Sequence, residues 1–464
     1  MRILAGLALV VALGVCSVTV FLLQSPVPVA DWFSNPAASF QLAQGENPNP
    51  VTLVRPDVQP LSAMALLGQQ IFNDSSLSSS GRLSCASCHS AQNSYAPANG
   101  LAAQYGGPTV SIQGARAVPS LMYLAQQPNF YIGPDISGDN DTPVALPQLA
   151  AAGSNAARAT KTAQSTAQSA ANIVPEGGLF WDGRANTLQS QAMGPLLSPF
   201  EMDGGTIARV SAKLQAAPYA GSFTQLFGPT IFKTPDLLVS EALFAVVRYE
   251  VEDPSFHPYS SKYDAWLEGK ARLSQAEMRG YVLFNDPNKG DCAACHLGQP
   301  TVDGQPPLFT DHQFEALGAP RNPDLAVNKD PNYYDLGICG PYRKDLANQA
   351  QYCGMFLTPT LRNTATRQVF FHNGVFHTLQ QVLDFYNFRD TDPGKIYPKR
   401  ADGQVRKFDD LPQKYLANID NTDPPLDRTL GQKPALSRGE EEDIIAFIKA
   451  LTDGYTPKGE KPGA

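Results

Sequence analysis

Histidine is scarce in this chain, six residues in 464, and none lies between His89 and His257. That gap excludes a histidine ligand or base supplied from the intervening span. Charge is scarce as well: Asp, Glu, Lys and Arg make up 17% of the residues, against a usual ~25%. The balance is acidic, with a net charge of −8 and a pI near 5.3. With no basic stripe to neutralise phosphates, nucleic acid is excluded as a partner. Proline (39) and glycine (37) are plentiful, which predicts a mainly α fold in which much irregular loop wraps a modest helical core.

Seven cysteines are present, and four of them fall in two short patterns, Cys85-Ala86-Ser87-Cys88-His89 and Cys292-Ala293-Ala294-Cys295-His296. Each is a C-x-x-C-H, in which two thiols add across the vinyl groups of a haem and the adjoining histidine ligates the iron. A zinc ribbon also uses C-x-x-C pairs, but with only about 15–20 residues between them. These are roughly two hundred apart, and two covalently bound c-type haems are the reading.

Covalent attachment of this kind requires export. Arg2 followed by the apolar run Ile3 to Leu23 supplies the signal, either cleaved or retained as an anchor. Residues 1–30 are therefore read as a signal peptide or N-terminal membrane anchor that also contains Cys16. The destination is the periplasm, with the protein soluble or tethered through residues 3–23. Cys339 and Cys353 remain, either as a disulfide closing a loop of about 15 residues, worth up to ~3 kcal/mol, or as two buried thiols.

The body contains an internal repeat. LSAMALLGQQIFND (61–74) and LSQAEMRGYVLFND (273–286) share Leu-Ser at the start, a glycine six residues after the serine (Gly68 and Gly280), and Phe-Asn-Asp at the end. Each reads as a helix with a serine N-cap, the first presenting Leu66, Leu67 and Ile71 inward, and each runs into its C-x-x-C-H. A helix-internal glycine costs roughly 1 kcal/mol relative to alanine, so its recurrence predicts close approach to a haem or another helix. The repeat predicts two cytochrome-c-like helical domains, residues 59–265 and 266–456, each around one covalent haem. Residues 31–58 read as a linker, 457–464 as a tail, and 123–176 as an inserted surface excursion holding a low-complexity Ala/Ser/Thr/Gln tract. Near the C-terminus, capping boxes are expected at Thr378/Gln381 and Ser437/Glu440. The second opens a helix with the apolar stripe Ile444, Phe447, Ile448 and Leu451.

Between the two haem motifs stand Phe180-Trp181-Asp182-Gly183-Arg184-Ala185, then Gln191-Ala192 with Gly194-Pro195, then Pro199-Phe200-Glu201-Met202. Together with PTLRN (359–363), FFHNG (370–374) and TLQQVLDFY (378–386), they resemble the bacterial di-haem cytochrome c peroxidases, a family that includes the MauG-type enzymes. The likeness runs from Leu61 to Leu451.

The resemblance implies an N-terminal peroxidatic haem held by His89 and a C-terminal electron-transfer haem held by His296. Glu201 and Gln191 match the family's distal acid-base pair, and Trp181 matches the tryptophan between the haems. Arg184 is the candidate partner of a haem propionate. Since no histidine follows His89 before His257, the first iron is expected to be five-coordinate or water-ligated.

For the second iron, Tyr386 stands fourteen residues after His372, where peroxidases of the family place methionine and MauG-type enzymes tyrosine. Its helical face, Leu379, Val382, Leu383 and Tyr386, points inward, and Met355 is the alternative ligand. Family members hold calcium between the domains, but at the asparagine of the expected R-N-x-P this chain has Ala117, within Arg116-Ala117-Val118-Pro119. That leaves a calcium ion only backbone carbonyls and water.

The implied reaction is reduction of hydrogen peroxide with electrons from a small cytochrome or copper protein. The alternatives are MauG-type oxidation of residues on a protein substrate and a di-haem cytochrome that only transfers electrons.

Overall fold

The computed structural model describes residues 25–27, 29–134 and 173–457. The apolar leader and the low-complexity tract 150–172 lie outside the described residues. Among those residues no helix is long and apolar enough to cross a membrane. The helices that build the body, in chain order, are α1 (Val29–Ser34), α2 (Pro36–Ala43), α3 (Ala63–Phe72), α4 (Leu188–Leu197), α5 (Ile207–Ala216), α6 (Pro235–Glu252), α7 (Lys262–Leu267), α8 (Gln275–Asn285), α9 (Leu379–Phe388) and α10 (Arg438–Lys449). The described strands form three separate antiparallel pairs. These are β1 (Tyr105–Gly106) with β2 (Ile112–Gln113), β3 (Tyr131–Pro134) with β4 (Ile173–Glu176), and β5 (Phe314–Glu315) with β6 (Phe356–Leu357). The fold is helix-rich, and its sheets only pin loops.

The repeated helices start alike because their first turns are capped alike. The Ser62 hydroxyl accepts from the Ala65 amide at 3.1 Å, and Ser274 forms a reciprocal capping box with Glu277, which satisfies amides that have no intrahelical partner. Leu67 and Ile71 are buried, four residues apart on one row, whereas Leu66 is 46% exposed. Leu66 sits ~100° around the helix from Leu67, so the inward row excludes it.

Both repeated glycines serve helix packing. A side chain at Gly68 would overlap the backbone carbonyl of Ala245 on α6, and one at Gly280 that of Asp443 on α10. Around these crossings lie two apolar clusters. One gathers Leu67, Phe72, Tyr95, Leu214, Phe223, Val246 and Phe256, and the other Tyr263, Trp266, Tyr281, Phe284, Phe309, Phe447 and Leu451. The expected capping boxes at Thr378/Gln381 and Ser437/Glu440 are formed, and the stripe Ile444, Phe447, Ile448 and Leu451 is buried.

Besides Leu66, three expectations require correction. Residues 31–58 are not a free linker. Leu42, Ala43 and Leu53 belong to the second cluster, Trp266 Nε1 donates to Gly45 O at 3.0 Å, Asn47 donates to Leu267 O at 3.0 Å, and Arg55 pairs with Glu268 at 2.8 Å. With few apolar residues and no periodicity, the segment is held by its backbone and by isolated anchors.

The boundary between 265 and 266 cuts through α7, whose Tyr263 and Trp266 both pack in the second cluster. The excursion 123–176 is narrower than expected. Tyr123 is buried, with its hydroxyl donating to Asp453 at 2.5 Å, and β3 and β4 form a paired stem. Of the two readings for Cys339 and Cys353, the disulfide is the one found.

Candidate haem sites

Two cavities share a wall, and each receives one C-x-x-C-H. The first, about 160 Å³, is lined by Cys85, Cys88 and His89, and also by Gln191, Glu201 and Arg184. The second, about 330 Å³, is lined by Cys292, Cys295, His296 and Tyr386. The two cysteine pairs therefore do not converge on one ion. Trp181 and Gln191 line both cavities.

The two histidines are held in the same way. His89 Nδ1 lies 3.0 Å from the carbonyl of Tyr95, and His296 Nδ1 lies 2.9 Å from that of Phe309. A ring that donates from Nδ1 presents Nε2 as the ligating nitrogen. Both carbonyls are aimed by residues in the left-handed region, Tyr95 at φ 51° and Phe309 at φ 56°. That is a costly conformation for an aromatic residue. Packing holds them there: Tyr95 stacks on Phe256 with centroids 3.7 Å apart, and Phe309 sits against Tyr263 at 5.4 Å. Burial, with a contribution from Arg367, pushes the His89 imidazole down to about 4, and burial does the same for His296. Both rings are thus neutral, the state in which a metal is ligated.

Facing His89, Gln191 lies in the first turns of α4, after the Thr187 capping box, and Glu201 lies in the turn that follows the helix. Glu201 donates its amide to Ser198 O at 3.1 Å and accepts from Gly107 N at 2.8 Å. Burial raises the Glu201 carboxyl above its ordinary value, moderated by Ser198 and by the charge of Arg184. Arg184 pairs with the fully buried Asp182 at 2.9 Å and lies 3.5 Å over the Phe180 ring. The Trp181 indole donates to Ala117 O at 2.8 Å, while its own carbonyl accepts from Leu357 N at 3.0 Å.

Across the second cavity, Leu379, Val382, Leu383 and Tyr386 present one face of α9. The Tyr386 hydroxyl has no hydrogen-bond partner among the described residues, and burial raises its pKa strongly. Met355 does not line the cavity. It packs with Phe314 and Ile338 on one side and with Ala316 and Leu411 on the other.

Three side chains that sequence reasoning passed over also line these cavities. His372 of FFHNG stacks on Phe356 with centroids 3.5 Å apart and has a buried Nε2 without a hydrogen bond; its motif carries the family likeness and the count to Tyr386, but no role for the imidazole itself. Glu250 is buried against the first cavity. Its signal was its place on the row Leu243, Val246, Glu250, where a carboxylate interrupts an apolar face. Arg367 lines the second cavity and carried no recognisable signal.

Residues 62–272 match the family model described as di-haem cytochrome c peroxidase. A cytochrome-c peroxidase of Denitromonas iodatirespirans is 30% identical over 352 residues, covering 68% of this chain and 78% of that one. The chain belongs to the di-haem cytochrome c peroxidase and MauG family. The methylamine utilization protein MauG of Paracoccus denitrificans is 28% identical over 403 residues, with 84% of this chain and 89% of that one covered. The diheme peroxidase BthA of Burkholderia thailandensis superposes with a TM-score of 0.71 at 31% identity, covering 87% of this chain and 89% of that one. Membership of the di-haem family implies two c-type haems. The residues fit them, since each C-x-x-C-H opens on its own cavity with an imidazole nitrogen left to ligate.

Proposed function

We propose that this chain is an exported oxidoreductase with two haems covalently attached through its C-x-x-C-H motifs, one in each of two cytochrome-c-like units. It reduces hydrogen peroxide at the His89 site with electrons that enter at the His296 site. The observation that carries the reading is the shared lining of one cavity by His89, Glu201 and Gln191, with Trp181 in the wall between this cavity and the next. When bound, the first haem supplies the iron at which the O–O bond of peroxide is cleaved. Glu201 takes a proton from one peroxide oxygen and returns it to the departing oxygen, a transfer favoured by a carboxyl whose pKa burial has raised toward the working pH. Gln191 positions the peroxide by hydrogen bonding without titrating. Trp181 lies where electrons pass between the two sites, and the electron donor is a small cytochrome or copper protein.

A second reading, oxidation of residues on a protein substrate as in MauG-type enzymes, is favoured by one observation. Tyr386 faces the His296 cavity and Met355 does not. A phenolate ligand is a hard anion that favours higher iron oxidation states, and the enzyme would act on peroxide without prior reduction.

The test of the general reading is a pyridine haemochrome assay together with peroxide turnover supplied with a reduced small cytochrome, started from the ferric and from the pre-reduced protein. Two c-type haems per chain and turnover are expected, and turnover without pre-reduction favours the second reading. One haem per chain, or no reaction with peroxide, would overturn it.

A further inference from the structure

The stretch Arg116-Ala117-Val118-Pro119 is where the family likeness would place calcium, and its two central carbonyls are already engaged. The Ala117 carbonyl accepts from Trp181 at 2.8 Å, and its amide donates to His372 O at 2.7 Å. The Val118 carbonyl accepts from Arg367 Nη2 at 3.0 Å. The nearby carboxylates are neutralised too. Arg116 meets Asp335 through two hydrogen bonds, of 2.6 and 2.7 Å, and Asp182 through one of 2.8 Å. Calcium needs six to eight oxygens with lone pairs turned toward it. Here those oxygens face N–H donors and two guanidinium charges. Among the described residues, no group of three or more His, Cys, Asp or Glu side chains could hold a metal ion.

Arg367 itself is unusual. Its hydrogen bonds go only to carbonyls, that of Val118 and that of Val369 at 3.3 Å, and among the described residues no carboxylate pairs with it. Burial without an anion pulls its pKa down to about 10, which still leaves it charged at neutral pH. It lines the His296 cavity and donates to Val118, which lines the His89 cavity, so it stands between the two sites.

We propose that the Arg367 guanidinium takes the place of calcium as the permanent cation between the haem sites, making the protein calcium-free and calcium-independent. The inference rests on the di-haem reading above. With the haem bound, Arg367 would be free to pair with a carboxylate of the class a haem propionate supplies, and its charge would favour the reduced state of the neighbouring iron.

The full-length holoprotein, dialysed into calcium-free buffer, is assayed for iron and calcium by plasma mass spectrometry. Its Tm and ferric absorption spectrum are then followed with EGTA and with added calcium chloride. Two irons, far less than one calcium per chain, and no response to either reagent are expected. A stoichiometric calcium, or a spectrum that changes with EGTA, would overturn the inference alone; fewer than two irons would instead overturn the di-haem reading. Arg367→Gln should lower the midpoint potential of the His89 haem and Arg367→Lys should restore it, whereas unchanged potentials in Arg367→Gln would show that Arg367 is not the cation. Should the glutamine variant fail to fold, the metal count on the wild-type protein decides.

Discussion

Gly107 donates its amide to the carbonyl of Glu201 at 2.8 Å, so the β1–β2 hairpin holds the turn that carries the candidate acid-base group. The neighbouring Gly106 permits the approach, because a side chain there would overlap the carbonyl oxygens of Phe200 and Glu201. Glu201 is thus placed by backbone contacts independent of its carboxyl.

Glu201→Gln should therefore lower peroxide turnover by about 10²–10⁴-fold, the usual cost of losing a general acid-base group, with both haems retained. In the wild type, burial raises this pKa and the ionised form is the base. Turnover should fall as the pH drops through that raised value and level off above it. Steady-state kinetics across pH test this, and a variant that retains wild-type turnover would remove Glu201 from the reaction.

Tyr386→Phe should convert the low-spin signal of the His296 haem to high-spin, because it removes the one oxygen that α9 turns into that cavity. Met355→Leu should leave the signal alone, since Met355 is packed between two apolar clusters. Electron paramagnetic resonance on the ferric proteins separates the two. Loss of the low-spin signal in the methionine variant would make the haem His/Met and the enzyme an ordinary cytochrome-accepting peroxidase.

Glu250 should give stability a pH slope. Burial raises its pKa from 4.5 to about 8. Below about 4.5 the folded and unfolded states are both protonated and its contribution is full. Between 4.5 and 8 only the folded state keeps the proton, so stability declines by about 1.4 kcal/mol per pH unit for that one proton. Glu250→Gln should flatten this part of the profile and be the more stable protein at pH 8. Urea unfolding from pH 5 to 9 tests it, and parallel profiles would refute it.

Asp264→Asn should destabilise the protein by about 3–5 kcal/mol, because it takes from the buried Arg362 guanidinium its hydrogen-bonded counter-charge and leaves it only Asp453, 3.9 Å away. The two side chains are fully buried and meet at 2.6 Å. The pairing, outweighing burial, holds the Asp264 carboxyl below its ordinary 3.8. Its contribution is accordingly present above that value and lost as the pH falls through the lower folded one. Denaturant midpoints of both proteins at pH 7, followed in the wild type to pH values below 3.8, measure both effects, and a loss under 1 kcal/mol at pH 7 would show that the pair can be opened cheaply.

The sequence by itself determined what depends on neighbours three or four residues apart. Both C-x-x-C-H motifs, the caps at Ser62, Ser274, Thr378 and Ser437, and the inward face of α9 are local patterns, and each recurs in the fold as read. The repeated glycines were legible as close-packing sites, though only the structure shows that helices α6 and α10 are what they approach.

Tertiary structure alone decided what depends on partners far away in the chain. Nothing near Gly45 announces that its carbonyl takes the indole of Trp266, 221 residues on, so residues 31–58 read as a linker. Nothing near Arg367 announces that it reaches Val118, 249 residues back, and finds no carboxylate there. A hydrogen bond or a buried charge acquires its meaning from what surrounds it, and for these residues the surroundings are assembled only when stretches more than two hundred residues apart fold together.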